Sequence, residues 1–357
     1  MVKIYKRARI YILSPANLAT GGPEALHQLG YNISKYTKYK KVYMQYYPIS
    51  NKKSIHQNYK RFKLKVSKKI EDKKENILII PEMYNLVKFS NRFSKIKKAI
   101  WWLSFDNFFL SKFESSNHKH IKSLIKIPYK IIVIFNRLTN FYFGNFTFND
   151  YLKMIYLKIN LFNKDKFENI NYHFFQSSYV GEFLKKNKLK NYSLSDYLNK
   201  SFLKIKKINL KDKRNIITYN AAKSTIFMKK IIKTNPDYTF IPLVNLPKKK
   251  IIDYLKISKI YFDFGTHPGK DRIPREAAIL GNCIITNNKG SSANKSDVKI
   301  YEEFKFDEKF SNLIKIRNKI NIIFNNHLKE QNKFKKYIKK INLEKKVFMS
   351  EIKKIFS

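Results

Sequence analysis

The sequence has a single cysteine, Cys283, in 357 residues. An intrachain disulfide and a Cys–His metal cluster are therefore excluded, and the place of this thiol in the apolar run CIIT suits a reducing compartment. Long hydrophobic runs are missing as well. No stretch reaches the roughly eighteen uncharged apolar residues that a membrane-spanning helix requires. The N-terminus, MVKIYKRARIYILSP, is basic and then apolar like a secretory signal, but its apolar run from Ile10 to Leu13 is too short for one.

Acidic residues are scarce: 26 Asp and Glu face 74 Lys and Arg, for a formal charge of +48. Such a field attracts polyanions of any kind. Yet arginine is scarce within the excess, 9 residues against 65 lysines, and the lysines are scattered along the whole chain. Arginine makes the bidentate phosphate and base contacts of a nucleic-acid reader, so a nucleic-acid partner is not expected. Scattered lysine suits an anionic membrane surface, which demands no fixed geometry. The surplus of Lys, Asn, Ile, Phe and Tyr equally fits an AT-rich coding sequence. The expected location is cytoplasmic, peripheral on the inner face of the membrane.

What is present divides the chain in two. An apolar fraction of 43% at this length supports two folded domains of ordinary size. In the first half ARIYILS, KVYMQYYP, NILIIPEMY, KAIWW and YHFFQSS have strand length and alternate with helix-compatible stretches. The pattern starts again with RNIITYN, YTFIPLVN, KIYFDFG and CIITN, separated by AAKSTIFMKKIIK, PKKKIIDYLKIS and IPREAAILG. Strands alternating with helices predict a parallel sheet in each half. The expected domains are 1–200 and 201–325, followed by a charged helical segment, 326–357. Within the first, the aromatic and basic section 121–163 reads either as a helix at a membrane interface or as an insertion packed on its own domain.

Glycine, arginine and alanine, rare elsewhere, gather in one place. Four of the 9 Gly, two of the 9 Arg and two of the 10 Ala fall between Gly265 and Gly290, within YFDFGTHPGKDRIPREAAILGNCIITNNKGSS. Here KIYFDF ends a strand, GTHPGKDR is the loop at its carboxyl end, and Pro274 suits the first turn of a helix. Helix-terminal N–H groups, Lys270, Arg272 and Arg275 would converge on one point, while Gly265 and Gly269 permit close backbone approach; a diphosphate fits that combination. A P-loop is excluded, because three residues rather than four separate Gly265 from Gly269 and Asp271 follows Lys270.

The run IPREAAILGNCIIT followed by Gly290 resembles the donor-site signature of GT-B glycosyltransferases, particularly the retaining "group 1" enzymes. TGGPEALHQL resembles that family's N-terminal glycine loop, and YNAAKSTIFMKKII the start of its second domain. The resemblance implies an α/β fold of two Rossmann-like domains facing across a cleft. It implies that Glu276 binds the donor ribose, that Lys223 with Lys270 or Arg272 stabilises the leaving diphosphate, and that Gly21 and Gly22 close against it. The position eight residues before Glu276, where the family carries a second Glu, is Pro268 here, and the neighbouring His267 is the candidate for the lost sugar contact. The stereochemical outcome does not carry over.

Further candidates are His27 and Asp106 as catalytic bases, with Trp101 and Trp102 as pocket or core residues, and Gly290, Ser291 and Ser292 as donors of N–H and hydroxyl groups to the nucleotide sugar. The reading that results is a metal-independent glycosyltransferase without a cofactor. It would move sugar from a nucleotide-sugar donor to a glycan or lipid-linked acceptor in cell-surface polysaccharide or lipopolysaccharide synthesis. Two alternatives are a nucleotide-sugar epimerase of the same fold and a non-catalytic polyanion-binding protein.

Overall fold

The computed structural model describes residues 2, 4–48, 55–115, 119–138, 148–158, 167, 169–205 and 208–356. The chain forms two compact units. Unit 1 comprises 1–117, 152–197 and 344–357, and unit 2 comprises 118–151 and 198–343.

Unit 1 is built on β1 (Ile10–Pro15), β2 (Val42–Tyr47), β3 (Lys65–Val66), β4 (Ile77–Pro81), β5 (Lys97–Trp102), β6 (Tyr172–Phe175) and β7 (Asn191–Ser193). They pair in the order β3-β2-β1-β4-β5-β6-β7, every pair parallel. The apolar runs of β1, β4 and β5 are almost wholly buried, as strands covered on both faces must be. The first crossover is the helix Gly21–Tyr36, whose Ala25, Leu26, Leu29 and Ile33 form the buried stripe expected at helical spacing. Gly21 and Gly22, which the family resemblance puts in a glycine loop, are its first two residues.

Unit 2 repeats the plan on β8 (Arg214–Tyr219), β9 (Thr239–Pro242), β10 (Ser258–Asp263) and β11 (Cys283–Thr286), all parallel, in the order β11-β10-β8-β9. Its core joins Ile217, Phe227, Ile260, Phe262 and Ile284 to Leu198 and Phe202, so the second unit starts a little before the expected boundary.

Two expectations are corrected. The charged C-terminal segment is not a separate part: the helix Lys335–Ile355 starts in unit 2, and its end lies in the core of unit 1. Burial drives this. Phe348 stacks on Trp101 at 6.3 Å and lies 5.4 Å from Tyr197, and Glu351 accepts bonds from Ser195 N (2.7 Å) and Ser195 Oγ (2.6 Å). The section 121–163 contains the helix Lys119–Leu138, which is grouped with unit 2, while most of the aromatic run FYFGNFTF and the end of YLKMIYLKINLF lie outside the described residues.

Candidate functional site

In an open parallel sheet the ligand crevice lies outside the carboxyl ends of the two strands whose crossovers run in opposite directions. In unit 2 these are β8 and β10, since β9 lies on one side of β8 and β10 and β11 on the other. The loop after β8 carries Lys223; the loop after β10 is the glycine-rich stretch, residues 264–271. The two meet through Lys223, whose Nζ lies 2.6 Å from Asp271 Oδ1.

Asp271 stands at the N-cap position of the helix Arg272–Ile279 but makes no capping bond with its side chain. Its carboxylate faces Lys223 on one oxygen and His267 Nδ1, at 3.3 Å, on the other. His267 Nε2 points to the carbonyl oxygen of Asp263 at 2.9 Å and to Thr286 Oγ1 at 3.1 Å. Burial opposes a charge on this imidazole, but Asp263 and Asp271 outweigh it and raise the pKa. Burial likewise opposes charge on Asp271, yet Lys223 and His267 hold its carboxyl well below the usual range. Asp263 is pushed up by burial, an effect that His267 moderates. The cluster is thus a buried imidazole whose charged form the flanking carboxylates favour, with a lysine at its solvent edge.

One ligand atom each from Asp263, His267 and Asp271 lies within 4.8 Å of the others, a spacing a divalent ion could use. Asp271 already faces Lys223 and His267, which an ion would have to displace. A cavity of about 10 Å³, room for about one water, sits beside the cluster, lined by His267, Lys270, Asp271, Thr286, Ser291 and Tyr337 among others.

The strand-β11 side clamps this loop. Gly290 has φ of +50°, and a Cβ there would stand 2.1 Å from the carbonyl oxygen of His267, so only glycine lets the two backbones approach. Ser291 N donates to His267 O at 2.9 Å and Ser291 Oγ to Gly269 O at 2.5 Å. Ser292 Oγ bonds Thr286 Oγ1 at 2.9 Å. Asn287 Nδ2 donates to Gly265 O (2.7 Å) and to Glu308 Oε1 (2.8 Å), and Glu308 also accepts from Thr225 Oγ1 after β8.

These positions sort the expected residues. Lys223 is exposed, and Lys270 and Arg272 are half-buried at the same loop. Glu276, on the helix that follows, is 8% exposed, and its charge, with burial and Asp263 acting more strongly, raises the Tyr261 phenol. Gly269 is buried within the loop. Four expectations are corrected, each because the side chain turns inward. His267 is 3% exposed and built into the loop, so it is not presented for a sugar contact. Arg275 is 1% exposed and donates to the carbonyl oxygens of Asp271 and Lys270, both at 3.0 Å, stapling the loop instead of facing a phosphate. The hydroxyls of Ser291 and Ser292 serve the clamp.

In unit 1 the corresponding crevice lies between β1 and β4. Gly21 and Gly22 follow β1. His27, expected as a base, is buried with Nδ1 2.6 Å from Pro23 O and Nε2 2.8 Å from Tyr46 Oη, stacked 4.3 Å from Tyr59; burial pushes its pKa down to about 4. It is a packing residue, which corrects that expectation. Trp101 and Trp102 are core residues, with Nε1 donating to Leu194 O and to His173 Nδ1. Asp106 is buried in the first turn of the helix Phe105–Glu114. Sequence reasoning missed another carboxylate: Glu82, just after β4, accepts from Leu103 N at 3.0 Å, and burial raises its pKa to about 7. Asp263, Asp271, Asn287 and Glu308 were also missed. For the first two a signal existed, since acids stand four residues before and four after His267.

No protein-family model matches the chain, and no curated protein matches its sequence. Solved structures do resemble it. A sucrose-phosphate synthase from Thermosynechococcus elongatus superposes with a TM-score of 0.54 at 10% identity, covering 98% of this chain and 95% of that one. A glycosyltransferase from Rickettsia africae ESF-5 gives 0.52 at 11% identity, over 99% and 95% of the two chains. A trehalose-6-phosphate synthase gives 0.51 at 9% identity, over 98% and 99%. With two all-parallel α/β units and this likeness over nearly the full length of each, the chain has the GT-B fold of two Rossmann-like domains.

Proposed function

We propose that this chain is a glycosyltransferase that binds the diphosphate of a nucleotide-sugar donor at the β8–β10 crevice of unit 2. The observation that carries the proposal is the convergence there of Lys223, Lys270 and Arg272 around the first turn of the helix Arg272–Ile279, on a loop that Gly290, His267 and Arg275 hold rigid. Breaking a glycosyl–phosphate bond builds negative charge on the leaving oxygen, and fixed cations with a helix N-terminus stabilise it. Lys223, now on Asp271, is the cation that reaches across from the β8 loop; Glu276 is the candidate acceptor of ribose hydroxyl bonds. These cations supply the positive charge that a metal ion would otherwise provide, so the reaction is proposed to need none. The GT-B neighbours, among them sucrose-phosphate and trehalose-6-phosphate synthases, support sugar transfer as the reaction class. The proposed acceptor is a glycan or lipid-linked sugar.

A panel of UDP, GDP, CDP, ADP and their sugars, read by thermal shift, tests the reading, because a ligand of the folded state raises the melting temperature by mass action. One nucleotide family is expected to raise Tm, and Glu276→Ala to abolish that rise while EDTA leaves it and any turnover unchanged. No response to any nucleotide, or a response that Glu276→Ala leaves intact, would sink it. Turnover of a sugar nucleotide without acceptor, to an isomer rather than to free nucleotide, would identify an epimerase instead.

A further inference from the structure

The helix Lys119–Leu138 turns only part of its apolar surface inward. Part of it is packed: Tyr129 meets Phe148 at 5.2 Å and Tyr151 at 5.6 Å. Elsewhere on it, Ile127, Ile131 and Ile134 are 54%, 60% and 54% exposed. Their spacing of four and three residues puts all three within a narrow stripe, since each residue advances about 100° around the axis. Lys126 and Lys130 are exposed along one side of it. The helix sequence, KHIKSLIKIPYKIIVIFNRL, contains five Lys and Arg and no acid.

We propose that this stripe lies on an anionic lipid surface, with the isoleucines in the acyl boundary and the lysines at the headgroups. Charge complementarity selects that occupant. A second copy of the chain meeting the stripe about a two-fold axis would set Lys126 and Lys130 against the same two lysines, and the like charges would repel. Nucleic acid would satisfy the lysines but leave the isoleucines in water. An anionic bilayer answers both: apolar side chains at the interface gain burial, and each nearby Lys gains attraction to the headgroups. The helix is not long and apolar enough to cross the membrane, so it lies in the plane. The inference is independent of the sugar-transfer reading, because lipid binding is measured with no nucleotide present.

Co-sedimentation with phosphatidylcholine vesicles, with and without phosphatidylserine, tests it on the full chain. The wild type is expected to bind only the anionic vesicles. Changing Ile127, Ile131 and Ile134 together to Ser leaves every charge in place, and is expected to weaken binding about a hundredfold. A control, Ile314→Ser at a site 73% exposed, should bind as the wild type does. Unchanged melting temperatures in both variants separate lost binding from lost folding. If the triple variant binds as tightly as the wild type, lipid attraction is a matter of net charge alone and the stripe is not the contact. If the wild type is a dimer that the triple variant makes monomeric, a second copy covers the stripe and the proposal is overturned.

Discussion

At Gly290 a single missing side chain decides whether the candidate site can form. Alanine there would meet a backbone oxygen, not the movable end of a side chain, and would also have to adopt φ of +50°. The His267 loop or the β11 loop must then shift. Gly290→Ala is expected to cost about 3 kcal/mol or more in stability, measured by denaturant unfolding, and to erase the nucleotide-dependent rise in Tm even at temperatures where the variant stays folded. His267 offers a second test, through pH. Its folded pKa is raised above the ordinary 6.5, so the stability it contributes is complete below that pH and disappears as pH rises through the folded value. Asp271, with its pKa depressed, contributes stability above the ordinary 3.8 that disappears as pH falls through the folded value. The Tm difference between wild type and His267→Asn should therefore shrink as pH rises beyond 6.5. A difference that grows with rising pH would mean that His267 is neutral in the folded protein.

At the scale of elements, the strands were legible because a parallel sheet covered on both faces needs continuous apolar runs, and IYILS, NILII, IYFDF and CIIT are such runs. The two-residue β3 and three-residue β7 are edge strands with mostly polar, solvent-facing residues, and they carry no such signal. The scarce-residue loop was also legible as the loop at the carboxyl end of a strand, but the direction of its side chains was not. Sequence spacing tells a helix face from its opposite; it does not separate Arg272 from the inward-turned Arg275, three residues later and so on a neighbouring part of the same helix, or a serine offered to a ligand from one bonded to Gly269. The last helix shows the same limit. Its lysines mark it as helical, while the placing of Phe348, Ile352, Ile355 and Phe356 in the core of unit 1 depends on a return of the chain that no local pattern encodes. Phe348→Ala should cost about 3–5 kcal/mol, as for other buried phenylalanines. Because the loss falls on unit 1, the nucleotide-dependent rise in Tm assigned to unit 2 should persist in that variant wherever it remains folded.

For the whole molecule the question is whether a charge of +48 is itself the function. The two possibilities respond differently to salt. Binding to a polyanion releases condensed counterions, so a protein that covers about 6–10 phosphates loses roughly 10³–10⁵ in affinity between about 50 and 200 mM salt. A nucleoside diphosphate brings only a few charges and no condensed counterion layer. Its grip comes from fixed donors and cations on a rigid loop, so the same change in salt should weaken it far less. Titrations of duplex DNA and of the responsive nucleotide across that salt range should therefore give a steep and a shallow dependence. Glu276→Ala should weaken only the nucleotide, since it removes no positive charge from the surface. Equal slopes for both ligands, with Glu276→Ala altering neither, would mean that the β8–β10 crevice is an undistinguished part of a basic surface and that the GT-B fold serves this chain as a scaffold alone.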